Sequence, residues 1–171
     1  MKILICGDIN AGKSTLITKL EKLFGKQPRG YITVRMPDDE YGCSYVYLYD
    51  RANPPKDIRD AAVIMKFNAD RSAEKHPELL DSLGVAYLEN IPKGSLVILD
   101  EIGTLESASP LFQRAVMDIL SGDYDVLASV KAKNTDFLRA VRKHPDCELF
   151  IITPDNREEL YEQLKKYVCG D

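Results

Sequence analysis

The sequence has few of the residues that build metal centres or disulfide frameworks. It contains four cysteines and two histidines in 171 residues. Cys6 falls in a predicted buried strand, and the other cysteines are scattered without C-x-x-C spacing. His76 and His144 each precede a proline and are not spaced as metal ligands or as catalytic partners. We therefore expect free thiols and no structural zinc site.

Long apolar runs and an excess of positive charge are also absent. No window is apolar and long enough to cross a bilayer, and the segment before residue 7 is too short for a signal-peptide core. A formal net charge of −4 argues against nucleic-acid binding driven by bulk charge. We expect a single cytoplasmic domain over residues 1–171, with no membrane partner and with its oligomeric state left open.

One stretch near the start of the chain carries the strongest chemical signal. Residues 7–14 fit the P-loop pattern of glycine, four residues, glycine, lysine and serine or threonine. An apolar run precedes them, and apolar residues at helical spacing follow, so the pattern predicts a strand, a loop and a helix. We predict a binding site for the phosphates of a nucleoside triphosphate formed by Gly7, Asp8, Ile9, Asn10, Ala11, Gly12, Lys13, Ser14 and Thr15.

Each residue type in this loop has a physical role. The glycines at both ends let the backbone pass close to phosphate oxygens, so that successive N–H groups converge on the anion. The helix that follows presents unpaired amides and a dipole that favours negative charge. Lys13 supplies a cation for the β and γ phosphates, and the Ser14 hydroxyl can ligate the Mg²⁺ ion that accompanies them.

A second chemical feature follows the apolar run at residues 95–99, which predicts a buried strand. Asp100 and Glu101 come at its carboxyl end, and an apolar strand ending in aspartate is the Walker B pattern. The Asp100 carboxylate would hold Mg²⁺ together with Ser14. Glu101, placed just past the strand, would orient or deprotonate an attacking water. We therefore predict catalytic roles for Lys13 and Glu101.

The remaining periodicities alternate strands with helices, which indicates an α/β fold with a mostly parallel sheet. Ligands in such sheets lie at the carboxyl ends of the strands, where Gly7, Asp100 and Lys131 would meet. Two strands at 30–35 and 43–49 are predicted to pair as an antiparallel hairpin with tyrosines on one face; sheet packing is favoured over a ligand platform for these rings. The other predicted strands lie at 62–67, 126–130 and 149–152. Helices are predicted from the P-loop to near Gly25, from Pro77 to about residue 90, and at 109–122, 136–143 and 156–168.

The stretch Leu99 to Glu106 reads Leu-Asp-Glu-Ile-Gly-Thr-Leu-Glu and resembles the small P-loop nucleoside triphosphatases of the cancer-related type, whose Walker B segment reads D-E-I-G. The likeness extends to residues 29–31 and to Thr153 with Asn156 and Arg157. It implies a three-layer P-loop NTPase fold with a RecA-like sheet and a hairpin insertion, in which the strand at Val126 lies between the P-loop and Walker B strands. It also implies slow hydrolysis of nucleoside triphosphates with little preference for the base.

Hydrolysis of ATP, GTP or a related triphosphate with Mg²⁺ is the leading hypothesis, and two alternatives stay open. The same cradle could transfer a phosphoryl group to a hydroxyl, as in a nucleotide or small-molecule kinase. It could also serve a nucleotide-dependent binding module with negligible turnover. An Asn-Lys-x-Asp motif is absent, which argues against a GTPase switch. Lys131 or Ser129 could sense the γ-phosphate, and Arg71 could act as an arginine finger.

Overall fold

The computed structural model describes residues 1–170, and the strands within them form one sheet. They are β1 Lys2–Gly7, β2 Arg29–Arg35, β3 Ser44–Asp50, β4 Ala62–Phe67, β5 Ala73–Lys75, β6 Leu96–Ile102, β7 Asp125–Lys131 and β8 Glu148–Ile151. Their order across the sheet is β5-β4-β3-β2-β6-β7-β1-β8. Neighbours from β2 to β8 along this order are parallel, whereas β2, β3, β4 and β5 pair antiparallel in succession. The predicted mostly parallel sheet with an antiparallel hairpin is confirmed.

Helices cover both faces of this sheet. They are α1 Lys13–Glu21, α2 Pro77–Leu79, α3 Val85–Leu88, α4 Pro110–Ser121, α5 Asp136–Arg142 and α6 Arg157–Cys169, with a π-helical turn Leu80–Gly84 between α2 and α3. None of the helices in residues 1–170 has the length and apolar character of a membrane-spanning segment.

The central strands are buried on both sides, which explains their continuous apolar runs. In β1, Leu4 packs into the cluster that includes α4 and α5, whereas Ile3 and Ile5 pack into the cluster that includes α1 and α6. In β6 the same alternation turns Leu99 toward the first cluster and Ile98 toward the second. The sheet is thus the middle of three layers, and its order places β7 between β1 and β6, as expected from the resemblance.

The end of the first helix and one short strand differ from the prediction. The first helix ends at Glu21 instead of near Gly25, although Leu23 and Phe24 still pack against the core beyond its end. The apolar periodicity therefore continued past the helix, and Gly25 adopts its positive φ in the following turn. The short strand β5 was not predicted, because its three residues are all exposed and carry no apolar pattern.

The helix predicted from Pro77 is interrupted by the π-helical turn. A Cβ atom on Gly84 would lie 2.7 Å from the buried ring of Phe112 in α4, so this turn approaches α4 closely. Leu83, which lies inside this turn, is 36% exposed, whereas Leu88 in α3 is buried.

The tyrosines of β3 are in keeping with sheet packing. Tyr47 is buried, and its ring centroid lies 6.2 Å from that of Tyr45 on the same strand. Neither ring lines the large cleft described below.

Candidate active site

The P-loop connects the carboxyl end of β1 to the amino end of α1 and is held in a tight conformation. Asn10 and Gly12 both have positive φ, of 64° and 103°. Gly7 lies against the chain that follows β8, where a Cβ atom would come within 2.5 Å of the Ile152 carbonyl oxygen. The backbone therefore requires glycine at both ends of the loop, for conformation at one end and for space at the other.

Lys13 places its ammonium group inside the loop. Its side chain is only 6% exposed, and Nζ donates to the carbonyl oxygens of Gly7 and Asp8, each at 2.9 Å. The same atom lies 3.1 Å from Oε1 of Glu101. Since phosphate oxygens are acceptors of the same kind, this cation is positioned to bind them.

Asp100 lies near the carboxyl end of β6, within hydrogen-bonding distance of Ser14. Its Oδ1 accepts a hydrogen bond from the Ser14 hydroxyl at 3.1 Å and another from the Ser129 hydroxyl. The carboxylate is 5% exposed. Burial raises its pKa, whereas the hydrogen bonds from Ser129 and Ser14 act in the opposite direction.

These oxygens fit a small divalent cation. A serine hydroxyl and a carboxylate are hard donors, and Mg²⁺ is usually held by one or two protein oxygens together with waters and substrate phosphates. Within residues 1–170, no cluster of three or more histidine, cysteine or acidic residues could hold a metal ion without a substrate. Ser14 and Asp100 therefore fit a cation that arrives with the triphosphate.

Glu101 lies between two lysines. Its Oε1 is paired with Lys13, and its Oε2 lies 3.3 Å from Nζ of Lys131 at the end of β7. Its backbone N–H donates to the Thr33 hydroxyl at 3.1 Å, which connects the hairpin to β6. The strand continues to Ile102, so our placement of Glu101 just past the strand was wrong. Its carboxylate nevertheless reaches Lys13 of the P-loop.

A cleft of about 510 Å³ opens over these residues. The P-loop and α1 form its floor, Glu101 and Lys131 lie in its middle, and β3, β4 and the segment after β6 form its far wall. Its apolar part, called the apolar wall below, consists of Val46, Ile64, Met65, Phe67 and Leu105, and Thr104 and Glu106 add polar groups beside it. The cleft is therefore larger and less polar than phosphate binding alone requires.

Two site residues were not assigned roles from the sequence. Arg157, at the start of α6, donates from Nε to the carbonyl oxygen of Ala11 at 2.7 Å and from a terminal nitrogen to that of Asn10 at 2.6 Å. Glu106 is 4% exposed, and its Oε2 has no hydrogen-bond partner in the described residues. The sequence signal for both was their place in the family resemblance alone.

The weaker candidates from the sequence differ in whether they line the cleft. Lys131 lines the cleft, whereas the buried Ser129 hydroxyl is used by Asp100. Arg71 is on the surface, 3.9 Å from Asp38, and does not line the cleft. His144 hydrogen-bonds to Ser121, away from the cleft.

Comparison with known proteins shows the family to which the chain belongs. A family model described as NTPase matches residues 2–165. The chain belongs to this NTPase family. The nucleoside-triphosphatase THEP1 of Thermotoga sp. (strain RQ2) is 28% identical over 96% of the chain and 93% of its own length. THEP1 of Methanothermobacter thermautotrophicus is 29% identical over 96% of the chain and 94% of its own.

The family relationship extends to a solved structure. The crystal structure of THEP1 from the hyperthermophile Aquifex aeolicus superposes with a TM-score of 0.75 and covers 96% of both chains, at 21% identity. At this identity the likeness establishes the fold. Together with the family match, it identifies the chain as a small P-loop NTPase.

Proposed function

We propose that this protein hydrolyses nucleoside triphosphates to the diphosphate and inorganic phosphate with Mg²⁺. The observation that carries the proposal is the position of Glu101. Its carboxylate is 3.1 Å from the P-loop ammonium of Lys13 and directly follows Asp100, which accepts a hydrogen bond from the P-loop hydroxyl of Ser14. A potential base thus stands beside the two groups that would bind the terminal phosphate and its metal.

The roles of the residues follow from these contacts. The amides of the P-loop bind the phosphate chain, and Lys13 binds oxygens of the β and γ phosphates. Ser14 and Asp100 would hold Mg²⁺, which neutralises charge that develops on the phosphate oxygens. Glu101 accepts a proton from the attacking water and orients it in line with the γ-phosphorus. Lys131, released from Glu101, is placed to bind an oxygen of the γ-phosphate.

Other features belong to the same proposal. The D-E-I-G sequence at residues 100–103 supports the cancer-related type of nucleoside triphosphatase. The single sheet that runs through the described chain supports one domain. We also propose a cytoplasmic location, in keeping with free cysteines and a nucleotide substrate.

The test is release of inorganic phosphate from ATP, GTP, CTP and UTP, each with Mg²⁺ and with EDTA. We expect release that depends on Mg²⁺ and is lost in Lys13→Ala, with binding of a non-hydrolysable triphosphate weakened by about tenfold or more. Lys22→Ala, which changes an exposed lysine just after α1, is the matched control. Equal triphosphate affinity in Lys13→Ala and the control would contradict the proposal.

A further inference from the structure

The contacts within the P-loop give the direction of a bound triphosphate. In such loops the backbone amides hold the α and β phosphates, the lysine reaches the β and γ phosphates, and the hydroxyl reaches the metal. Here the Lys13 ammonium faces Glu101, and the Ser14 hydroxyl faces Asp100. The γ-phosphate would therefore point toward β6 and Lys131, and the cleft beyond Glu101 lies on its far side.

The wall of the cleft on that side is built from elements that do not form the P-loop. Met65 and Phe67 lie on β4, Val46 lies on β3, and Leu105 follows β6. An apolar wall does not stabilise bound water or a phosphate chain. It does stabilise a bound ring, because burial of the ring's apolar surface is favourable. The wall thus matches a second molecule beside the triphosphate.

Glu106 provides a polar group at the inner end of this wall. Its Oε2 has no hydrogen-bond partner in the described residues. This oxygen and Nζ of Lys131 lie on either side of the space next to Gly103: a Cβ atom added to Gly103 would be 3.5 Å from the oxygen and 3.4 Å from the nitrogen. A buried acceptor without a donor loses its hydrogen bonds to water and gains none in return, which destabilises the folded protein. A hydroxyl group of a bound molecule would satisfy this acceptor close to the γ-phosphate.

Arg35 provides a charge at the outer end. Its guanidinium lies 4.3 Å from the ring centroid of Phe67 and donates to the Ser44 hydroxyl at 3.1 Å. Within residues 1–170, no carboxylate is within ion-pairing distance of it, while it lines the cleft and is exposed. An anionic group on the second molecule would match this cation.

We propose that the cleft binds a second substrate, a small ring-bearing alcohol that carries an anionic group, and that its hydroxyl accepts the γ-phosphoryl group. This inference rests on the proposed triphosphate site. The hydroxyl oxygen forms a bond to the γ-phosphorus while the bond between that phosphorus and the β–γ bridging oxygen breaks. The nucleoside diphosphate leaves with the bonding electron pair, and the hydroxyl proton passes to Oε2 of Glu106.

The first experiment uses matched probes with ATP and Mg²⁺, followed by ³¹P NMR. One pair is 4-(hydroxymethyl)benzoate with benzyl alcohol, and the other is orotidine with uridine; the first member of each pair carries the carboxylate. We expect a phosphate ester from each pair, with a KM about tenfold lower for the carboxylated member. We expect 4-methylbenzoate, which has no hydroxyl, to inhibit ester formation competitively.

The second experiment compares variants at fixed ATP. We expect Phe67→Ala and Arg35→Gln to raise the KM for the carboxylated probes by about tenfold, and Arg35→Gln to abolish the difference within each pair. We expect Glu106→Gln to lower the kcat for ester formation by about 10²-fold or more. Leu111→Ala, at an exposed position of α4 outside the cleft, should change neither parameter.

The two proposals fail in different ways. If phosphate is released to water but no probe forms an ester or binds saturably, the second-substrate site is refuted and the triphosphatase stands. If no triphosphate is bound or consumed with any acceptor, both proposals are refuted. If esters form equally well in Arg35→Gln and Phe67→Ala, the acceptor does not lie against this wall.

Discussion

At the scale of single residues, the two ion pairs of Glu101 make a test of its role possible. In Glu101→Gln both lysines lose a carboxylate, but Lys13 keeps its hydrogen bonds to the P-loop carbonyls. We expect kcat for phosphate release to fall by about 10²–10⁴-fold, because the proton acceptor is lost. We expect the Kd of a non-hydrolysable triphosphate to be unchanged or lower, because phosphate oxygens no longer compete with the carboxylate for the lysines.

The measurement pairs single-turnover hydrolysis with titration calorimetry. Glu162→Gln, on the exposed side of α6, is the matched control and should change neither value. A normal kcat in Glu101→Gln would remove its assignment as the base.

Glu106 gives a prediction for stability against pH. Burial raises the pKa of its carboxyl, and of the charges around it Lys131 lowers the pKa while Glu101 raises it; the buried Tyr31 hydroxyl also lies near. The folded state therefore binds more protons than the unfolded state above the ordinary glutamate pKa of about 4.3. The free energy of unfolding consequently falls as pH rises through that window up to the raised pKa.

We expect Glu106→Gln to reduce this loss of stability, measured by urea unfolding of the ligand-free protein at about pH 5 and about pH 8. The buried Asp100 has a raised pKa of the same sign, so part of the slope should remain. Glu162→Gln serves again as the exposed control. An unchanged slope in Glu106→Gln would show that this carboxyl does not titrate differently on folding.

The predictability of the site differs from residue to residue. Roles for four residues could be proposed from the sequence, namely Lys13, Ser14, Asp100 and Glu101. Their positions depend on short local spacings within a strand and the loop or segment that follows it, and these spacings can be recognised in the sequence. The same could not be done for Arg157, since its contacts join α6 to a loop 146 and 147 residues away in the chain.

At the scale of elements, α6 holds the P-loop in place through its first residue. Arg157 donates to the carbonyl oxygens of Ala11 and Asn10 and lies over Gly12. We expect Arg157→Ala to leave these carbonyls to water and to loosen the loop, raising the Kd of a non-hydrolysable triphosphate by about tenfold, the equivalent of about 1.4 kcal/mol. Arg157→Lys should recover only part, because one ammonium cannot reproduce the planar fork.

The control is Lys165→Ala, on the same helix and on the surface. Isothermal titration of all three variants measures the effect. If Arg157→Ala binds as tightly as the control, the P-loop does not depend on α6.

The elements themselves were predictable where periodicity is long and both faces of a strand are buried, as in β1, β6 and β7. The π-helical turn was not, because it depends on how closely Gly84 approaches Phe112 in another helix. The early end of α1 was missed for a related reason: Leu23 and Phe24 are apolar to fill the core, whatever their backbone conformation.

At the scale of the whole molecule, one sheet connects the nucleotide site to the rest of the core, so binding should stabilise the entire chain. We expect a single unfolding transition whose midpoint temperature rises with Mg²⁺ and a non-hydrolysable triphosphate. At a ligand concentration of 100 times the Kd, the free energy of unfolding should increase by about 2.7 kcal/mol. In Asp100→Asn the additional effect of Mg²⁺ over EDTA should be lost. Calorimetry measures both, and two separate transitions would contradict the proposed single domain.

The order of the sheet has a consequence for how such a molecule can diversify. The groups that would hold phosphate and metal lie at the ends of β1, β6 and β7 and on α1, whereas most of the apolar wall lies on β3 and β4. A side chain on β4 can change size or polarity without moving the P-loop or either carboxylate. The residues that would carry out the reaction are therefore on different strands from most of those that would select a second substrate. Substitutions on β3 and β4 can change that selectivity while the reaction chemistry is kept.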